Sequence, residues 1–151
     1  MINFEKATDI DAEILTEIQM KAFDYDVKIC GDGPPGYDSQ EHQIKAINKY
    51  IYYKIVYEDI IIGGFYIRNE GNGIYELVRI FINPLYQGRG IGKKALHHIE
   101  NMFEDLREIL LETPSFNIKN HAFYEGMGYV KIGEIKYGED CFSYKYRKVL
   151  K

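Results

Sequence analysis

The apolar residues of this chain follow two rhythms, helical spacing and strand-like runs, and the switches between them predict its elements. Residues 2–6 read as a short strand. Thr8, with Asp11 three positions on, is a helix start. Ile14, Leu15, Ile18 and Ala22, with Phe23 at the end, then give an apolar helical stripe that packs on the core. Residues 24–38, rich in glycine, proline and aspartate, read as a long loop. Ser39 caps a helix over 40–49 with Ile44 and Ile47 as its apolar positions. Residues 50–57 and 60–68 are two strands joined at Glu58-Asp59 as a hairpin. Gly63-Gly64 inside the second strand predicts a bulge or a close backbone approach. After a turn at 69–73, residues 75–83 form a β-branched and aromatic strand closed by Asn83-Pro84. Ala95, Ile99, Met102, Phe103 and Leu106 recur at helical spacing. Residues 108–112 are a short apolar strand expected to lie parallel to 75–83, with the helix as a right-handed crossover. Asn117 caps a short helix ended by Gly126 and Gly128. Residues 130–137 and 142–148 close the chain as a hairpin around Gly138-Glu-Asp140. There is no repeat, no low-complexity run and no second domain, so residues 1–151 are expected to form a single domain.

Between strand 75–83 and its following helix lies Gln87-Gly-Arg-Gly-Ile-Gly92. Glycines let a backbone approach a ligand closely and adopt positive φ. The turn also stands at a helix N-terminus, where free N–H groups and the positive dipole end favour an anion such as a diphosphate. Arg89, Lys93 and Lys94 add cationic charge. The spacing rules out a Walker loop, because Gly88 and Gly92 are too close and Lys94 replaces the hydroxyl. It also rules out the dinucleotide fingerprint, since the third glycine comes one residue early. The pattern that fits is Gln/Arg-x-x-Gly-x-Gly/Ala, occupied by Gln87, Gly90 and Gly92.

This loop, with the Asn-Pro-Leu-Tyr strand end before it and the Lys-Lys-Ala-Leu helix after it, resembles the coenzyme A loop of the GNAT superfamily of N-acetyltransferases. Residues 117–129 resemble that family's Asn-x-x-Ala-x-x-Phe-Tyr-Glu-x-x-Gly-Phe segment, with Asn120 at the small-residue position and Tyr129 for the final Phe. The resemblance spans residues 60–129, and the order of elements agrees at both ends. It implies an α/β (α+β) fold: a mixed, mostly antiparallel sheet flanked by helices, with a splay between two central parallel strands. It also implies acetyl-coenzyme A as co-substrate, held by Phe81, Ile82, Gln87, Gly88, Arg89, Gly90, Ile91, Gly92, Lys93, Asn117 and Tyr124. In that frame Asn117 bonds the pantetheine arm and Tyr124 is the general acid beside the sulfur. The two are seven apart, two helical turns, so they line one helix edge.

Acyl transfer from a thioester to an amine needs a neutral amine, a polarised carbonyl and a protonated leaving thiol. A backbone N–H of the 75–83 strand can polarise the carbonyl. By resemblance this falls at Phe81 or Ile82; Pro84 has no N–H to give, and Ile82 is the chosen donor. A tyrosine with a pKa near 10 can protonate a thiolate whose own value is about 8.5. Glu76 is the candidate base, eleven residues before Gln87, the offset found in the histone-acetylating branch. The same residue suits a strand salt bridge, with Arg79 as partner, and many family members use water or a distant carboxylate instead. With no cysteine nucleophile in the site, the expected reaction is direct attack in a ternary complex.

Composition narrows the partners. The chain has 151 residues, 46% of them apolar, and a formal net charge of −4, which argues against a nucleic-acid partner. Asp32, Tyr37 and Asp38 in the 24–38 loop are candidates to meet a cationic acceptor, a small-molecule or peptide amine. His97 and His98 are adjacent and so point to different helix faces; with His42 and His121 isolated, no metal site is expected. Cys30 and Cys141 read as reduced thiols in a reducing compartment. The N-terminal residues lack signal-peptide architecture and no apolar run reaches transmembrane length, so a cytoplasmic protein away from membranes is expected. Two copies could pair through their C-terminal strands as a homodimer. The main alternative keeps the fold without chemistry, as an acyl-coenzyme A-binding regulatory module; the other, an RNA clamp built on the glycine turn, conflicts with the acidic balance.

Overall fold

The computed structural model describes residues 1–137 and 141–150. A seven-stranded sheet in the order β1-β2-β3-β4-β5-β7-β6 carries the molecule. Its strands are β1 (Ile2–Lys6), β2 (Ile51–Tyr57), β3 (Ile60–Gly71), β4 (Ile74–Ile82), β5 (Glu108–Pro114), β6 (Val130–Lys136) and β7 (Phe142–Val149). Every neighbouring pair is antiparallel except β4 with β5. The helices are α1 (Ala12–Ala22), α2 (Asp24–Cys30), α3 (Gln40–Lys49), α4 (Ile91–Glu100) and α5 (Ile118–Gly126). The mixed, mostly antiparallel α/β architecture is therefore the expected one. Residues 138–140, where a turn is expected, lie outside the described residues.

Strand alternation sorts the buried side chains into two clusters, one on each face of the sheet. Phe65, Ile67, Tyr75 and Leu77 face α4 and α5, together with Ala95, Leu96, Ile99, Tyr124 and Tyr129. Tyr52, Tyr66 and Phe81 face α1 and α3, with Leu15, Ile18, Ala46 and Ile47. Of the register shifts in the sheet, the one in the middle of β4 bears on the site. Tyr66 pairs with Arg79 and Ile67 with Leu77, which leaves Val78 as an extra residue in β4. This is a β-bulge, and it reverses the parity of the strand. Tyr75 and Leu77 point to the α4/α5 cluster, but beyond Val78 it is Ile80 and Ile82 that do so, while Phe81 joins the other face. The pairing of β4 with β5 ends at Leu77 and Leu111, just before the bulge. The two strands part from there on.

Several local expectations hold for stated reasons. Glu58 and Asp59 both have positive φ (48° and 66°), which a two-residue primed hairpin turn requires. Ser39 Oγ accepts from His42 N at 3.1 Å and starts α3. Thr8 N donates to Asp11 Oδ2 at 2.8 Å, fixing the entry to α1. A Cβ on Gly63 would come within 2.3 Å of Phe81 O, so the glycine permits the close approach of β3 to β4.

Other expectations are corrected. The segment 24–38 is not all loop: α2 occupies its first half, braced by the Lys28–Asp24 ion pair at 2.8 Å and stopped by Gly31 at φ 81°. Ile14 is 45% exposed rather than in the core, because Leu15, Ile18 and Gln19 fill the inward face of α1. The helix after the glycine turn ends at Glu100; Met102, Phe103 and Leu106 reach the core from the loop beyond it. The turn into β4 is only Asn72-Gly73, both at positive φ, with β3 continuing to Gly71. Cys30 and Cys141 are not free thiols but a disulfide, with Cα atoms 6.1 Å apart across 111 residues of sequence. Spacing along the chain could not show this, since α2 and the start of β7 meet only in the fold. The pairing removes the cysteine-based argument for a reducing compartment. No helix among the described residues is long and apolar enough to cross a membrane.

Candidate active site

The site forms where β4 and β5 part. Asn83 N donates to Ile62 O at 2.7 Å, so its N–H faces β3. By alternation, the N–H and C=O of Ile82 turn the other way, into the gap, and those of Phe81 turn back to β3. Of the two candidate donors, Ile82 therefore has its amide free for a ligand, while Phe81 contributes its ring to the α1/α3 cluster. Gln87 Nε2 donates to Ile82 O at 3.0 Å. That bond supplies the carbonyl with the partner β5 no longer gives, and it ties the glycine turn to the end of β4.

The turn itself is built for backbone contacts. Gly88 and Gly90 both have φ 77°, with no atom within 4 Å of where a Cβ would be. Conformation, not crowding, demands glycine there. Gly90 is the N-cap of α4, and no side chain caps it. Lys94 N is the first amide to bond back, to Gly90 O at 3.1 Å, leaving the N–H groups before it, including those of Ile91, Gly92 and Lys93, for a ligand. Gly92 is glycine for another reason: a Cβ would meet the Phe123 ring at 3.3 Å, so α4 and α5 approach closely here. Arg89 lies over the Tyr86 ring at 5.3 Å, and Lys93 and Lys94 are exposed. The residues present thus fit a diphosphate.

Tyr124 on α5 is buried, with Tyr129 and Tyr146 ring centroids 5.9 Å and 6.2 Å away. Burial pushes its phenol well above the usual value, so it holds its proton at neutral pH. Asn117 stands one residue ahead of α5 with φ −87° and ψ 79°, and its side chain accepts from Asn120 N at 3.1 Å. It is the cap, outside the helix, so the two-turn alignment with Tyr124 does not apply. Asn120 in turn donates to Thr113 Oγ1 at 3.2 Å, joining α5 to the end of β5.

On the opposite face, Glu76 is ion-paired with Arg68, not with Arg79. Glu76 pairs in register with Leu110, so Glu112 follows on the same face of β5. Tyr137 donates to Glu112 Oε2 at 3.1 Å, and its phenol is raised by burial and by the charges of Glu112 and Glu76. Arg79 donates to Gln19 Oε1 at 3.1 Å and to Pro35 O at 2.9 Å. Asp32 accepts from Gly33 N at 2.8 Å, Tyr37 packs its ring on Gly33, and Asp38 is exposed. α2 lies over this side: Tyr25 meets Phe116 at 5.8 Å, and the disulfide fastens Cys30 to the β6–β7 hairpin. Asp26, one turn before Cys30 on the same helix face, is only 9% exposed, and burial raises its carboxyl to about 6. No hydrogen bond or ion pair holds its side chain among the described residues. Arg79, Glu112, Tyr137 and Asp26 were not foreseen as site residues. A charge set in the otherwise apolar stretch 77–82 was the one available signal, for Arg79.

Of the histidines, His97 and His98 are exposed, His98 stacking on Phe4 at 4.4 Å, and His121 bonds Pro114 O at 2.9 Å. Among the described residues no group of three or more His, Cys, Asp or Glu could hold a metal ion.

Comparison with known proteins adds three findings. The family model described as "Acetyltransferase (GNAT) family" matches residues 13–129. Solved structures share the fold over almost the whole chain. A PaiA N-acetyltransferase from Thermoplasma acidophilum, in complex with coenzyme A, is 19% identical with a TM-score of 0.82, covering 99% of each chain. An acetyltransferase from Thermus thermophilus is 17% identical (TM-score 0.79; 99% of this chain, 97% of that one). The ribosomal-protein-S18-alanine N-acetyltransferase from Escherichia coli is 15% identical (TM-score 0.80; 99% and 94%). No curated protein matches the sequence.

Proposed function

Because the chain belongs to the GNAT acetyltransferase family, we propose that it moves an acetyl group from acetyl-coenzyme A to a primary amine by direct attack in a ternary complex. The observation that carries this reading is the uncapped turn at 88–93, placed at the end of the strand whose Ile82 amide faces the gap. The co-substrate supplies a thioester, whose acetyl carbon is the electrophile. The amides of 88–93, with Arg89 and Lys93, hold its diphosphate. The N–H of Ile82 polarises the acetyl carbonyl. Asn117 serves the pantetheine arm from the start of α5.

The amine nitrogen forms the new C–N bond as the C–S bond breaks. Glu76, fixed beside the gap by Arg68, receives the proton that the ammonium sheds. Tyr124 donates its phenolic hydrogen to the departing sulfur; burial raises that phenol and makes it a weaker acid, but a thiolate leaving into the same surroundings is raised by the same cause, so the transfer is not opposed by the full shift. Asp32, Tyr37 and Asp38 border the acceptor side as part of the loop over Arg79. The test is a thiol-release assay with acetyl-coenzyme A against a panel of amines. Stoichiometric N-acetyl product and free thiol support the reading; coenzyme binding with no transfer to any amine would leave only a binding module.

A further inference from the structure

The bulge at Val78 decides where Arg79 points. Without it, Arg79 would share the face of Tyr75 and Leu77 and enter the α4/α5 core. With it, the guanidinium rises on the α1/α3 face, two residues past the last β4–β5 pair, where the strands have begun to part. It is held there from three sides. Gln19 of α1 accepts at 3.1 Å, Pro35 O of the loop accepts at 2.9 Å, and the Tyr66 ring lies 5.5 Å below. Gln19 is itself fully buried and oriented by a relay: its Nε2 donates to Tyr52 Oη at 3.4 Å, and Tyr52 donates to Gln43 Oε1 at 2.6 Å.

All these partners are neutral. Arg68 has Glu70 and Glu76, Lys54 has Asp11 at 3.1 Å, and Lys148 has Glu100 at 3.0 Å. Among the described residues Arg79 has no carboxylate, although it is half-buried. Burial pushes its guanidinium down from the usual value, opposed only by tyrosines. A guanidinium has five donors in a planar fork, and two are engaged here. The remaining donors of the fork suit a carboxylate.

We propose that Arg79 anchors a carboxylate of the acceptor, so that the substrate is an amino-acid-like molecule carrying a primary amine and a carboxylate together. This rests on the acetyl-transfer reading and names the acceptor class within it. The rigid neutral scaffold fixes the fork beside the gap, and the carboxylate on it aims the amine at the acetyl carbon.

The experiment compares matched acceptors, free amino acids against their carboxamides, with wild type, Arg79→Met and Arg79→Lys. Wild type should prefer the acids in kcat/KM by about 30-fold or more. Arg79→Met should erase that preference by raising KM for the acids far more than for the amides. Arg79→Lys should recover part of it, having the charge but not the fork. Equal wild-type turnover of acids and amides overturns the proposal without touching the function. So does an equal loss on both acceptors in Arg79→Met, which marks a structural role. If no amine is acetylated at all, the acetyl-transfer reading is what fails. Calorimetric titration of N-acetyl amino acids into the coenzyme A-loaded protein then decides Arg79 separately. Heat in wild type that is lost in Arg79→Met supports the anchor, and no heat in wild type overturns it.

Discussion

On the face covered by α4 and α5 the buried surface is hydrocarbon and phenol, and the groups left for a ligand are backbone amides at the end of β4 and the start of α4. On the face covered by α1 and α3 a line of polar side chains runs inward instead, from half-buried Arg79 to buried Gln19, Tyr52 and Gln43. In the proposed reading the first face holds a constant ligand with peptide groups that any sequence carries, and needs only glycine where φ is positive. The second, in the same reading, selects one acceptor among many with side chains drawn from α1, the 31–39 loop, β2, β3 and β4. The Val78 bulge joins the two, since it turns Ile82 toward one and Arg79 toward the other.

If the division is right, damage to one face should leave the other working. The largest effect is expected from Tyr124→Phe, which should lower kcat by about 10²–10⁴-fold with coenzyme A affinity unchanged by calorimetry. Loss of both together would place Tyr124 in packing rather than chemistry. Reduction of Cys30–Cys141 comes next. It frees a long loop on the acceptor side and should cost about 2–4 kcal/mol in chemical unfolding, raising KM for the amine and not for the coenzyme. Gly90→Val forces a β-branched residue to φ 77° and should weaken coenzyme A about 10–100-fold, leaving amine KM alone.

Asp26 tests the acceptor side by pH. Its carboxyl is raised from 3.8 to about 6 in the folded protein. The folded state therefore holds this proton more tightly than the unfolded chain, so stability falls as pH rises from about 4 to 6 and stays lower above. Asp26→Asn should gain about 1–2 kcal/mol at pH 7 and nothing at pH 4, by urea unfolding. A loss at pH 7 would mean that the carboxylate has a stabilising partner. The smallest effect is Arg89→Ala, about threefold or less in coenzyme A affinity, because this exposed cation is screened and already stacked on Tyr86.

The same contrast explains what could be read in advance. Strand 74–82, the glycine turn, α4 and the Asn117 cap are each a short stretch of sequence that depends on local rules of conformation and capping. The proposed acceptor side draws on positions as far apart as 19, 35, 52, 66 and 79, which only the folded sheet brings near one another. α2 is only seven residues long and sits among glycines and prolines, so its pattern was too short to show. The bulge has no composition of its own: Val78 is an ordinary strand residue, and the parity it reverses is visible only in the register with β3. Cys30 and Cys141 illustrate the same limit across 111 residues.

The central claim is that peptide amides of the 88–93 turn grip a diphosphate and thereby aim a thioester along β4. Calorimetry with coenzyme A and with pantetheine, which shares the thiol arm but lacks the diphosphate, tests it most directly. Coenzyme A should bind at least about 100-fold more tightly, a difference of roughly 2.7 kcal/mol. Equal affinity for the two, or no heat with coenzyme A, would contradict it.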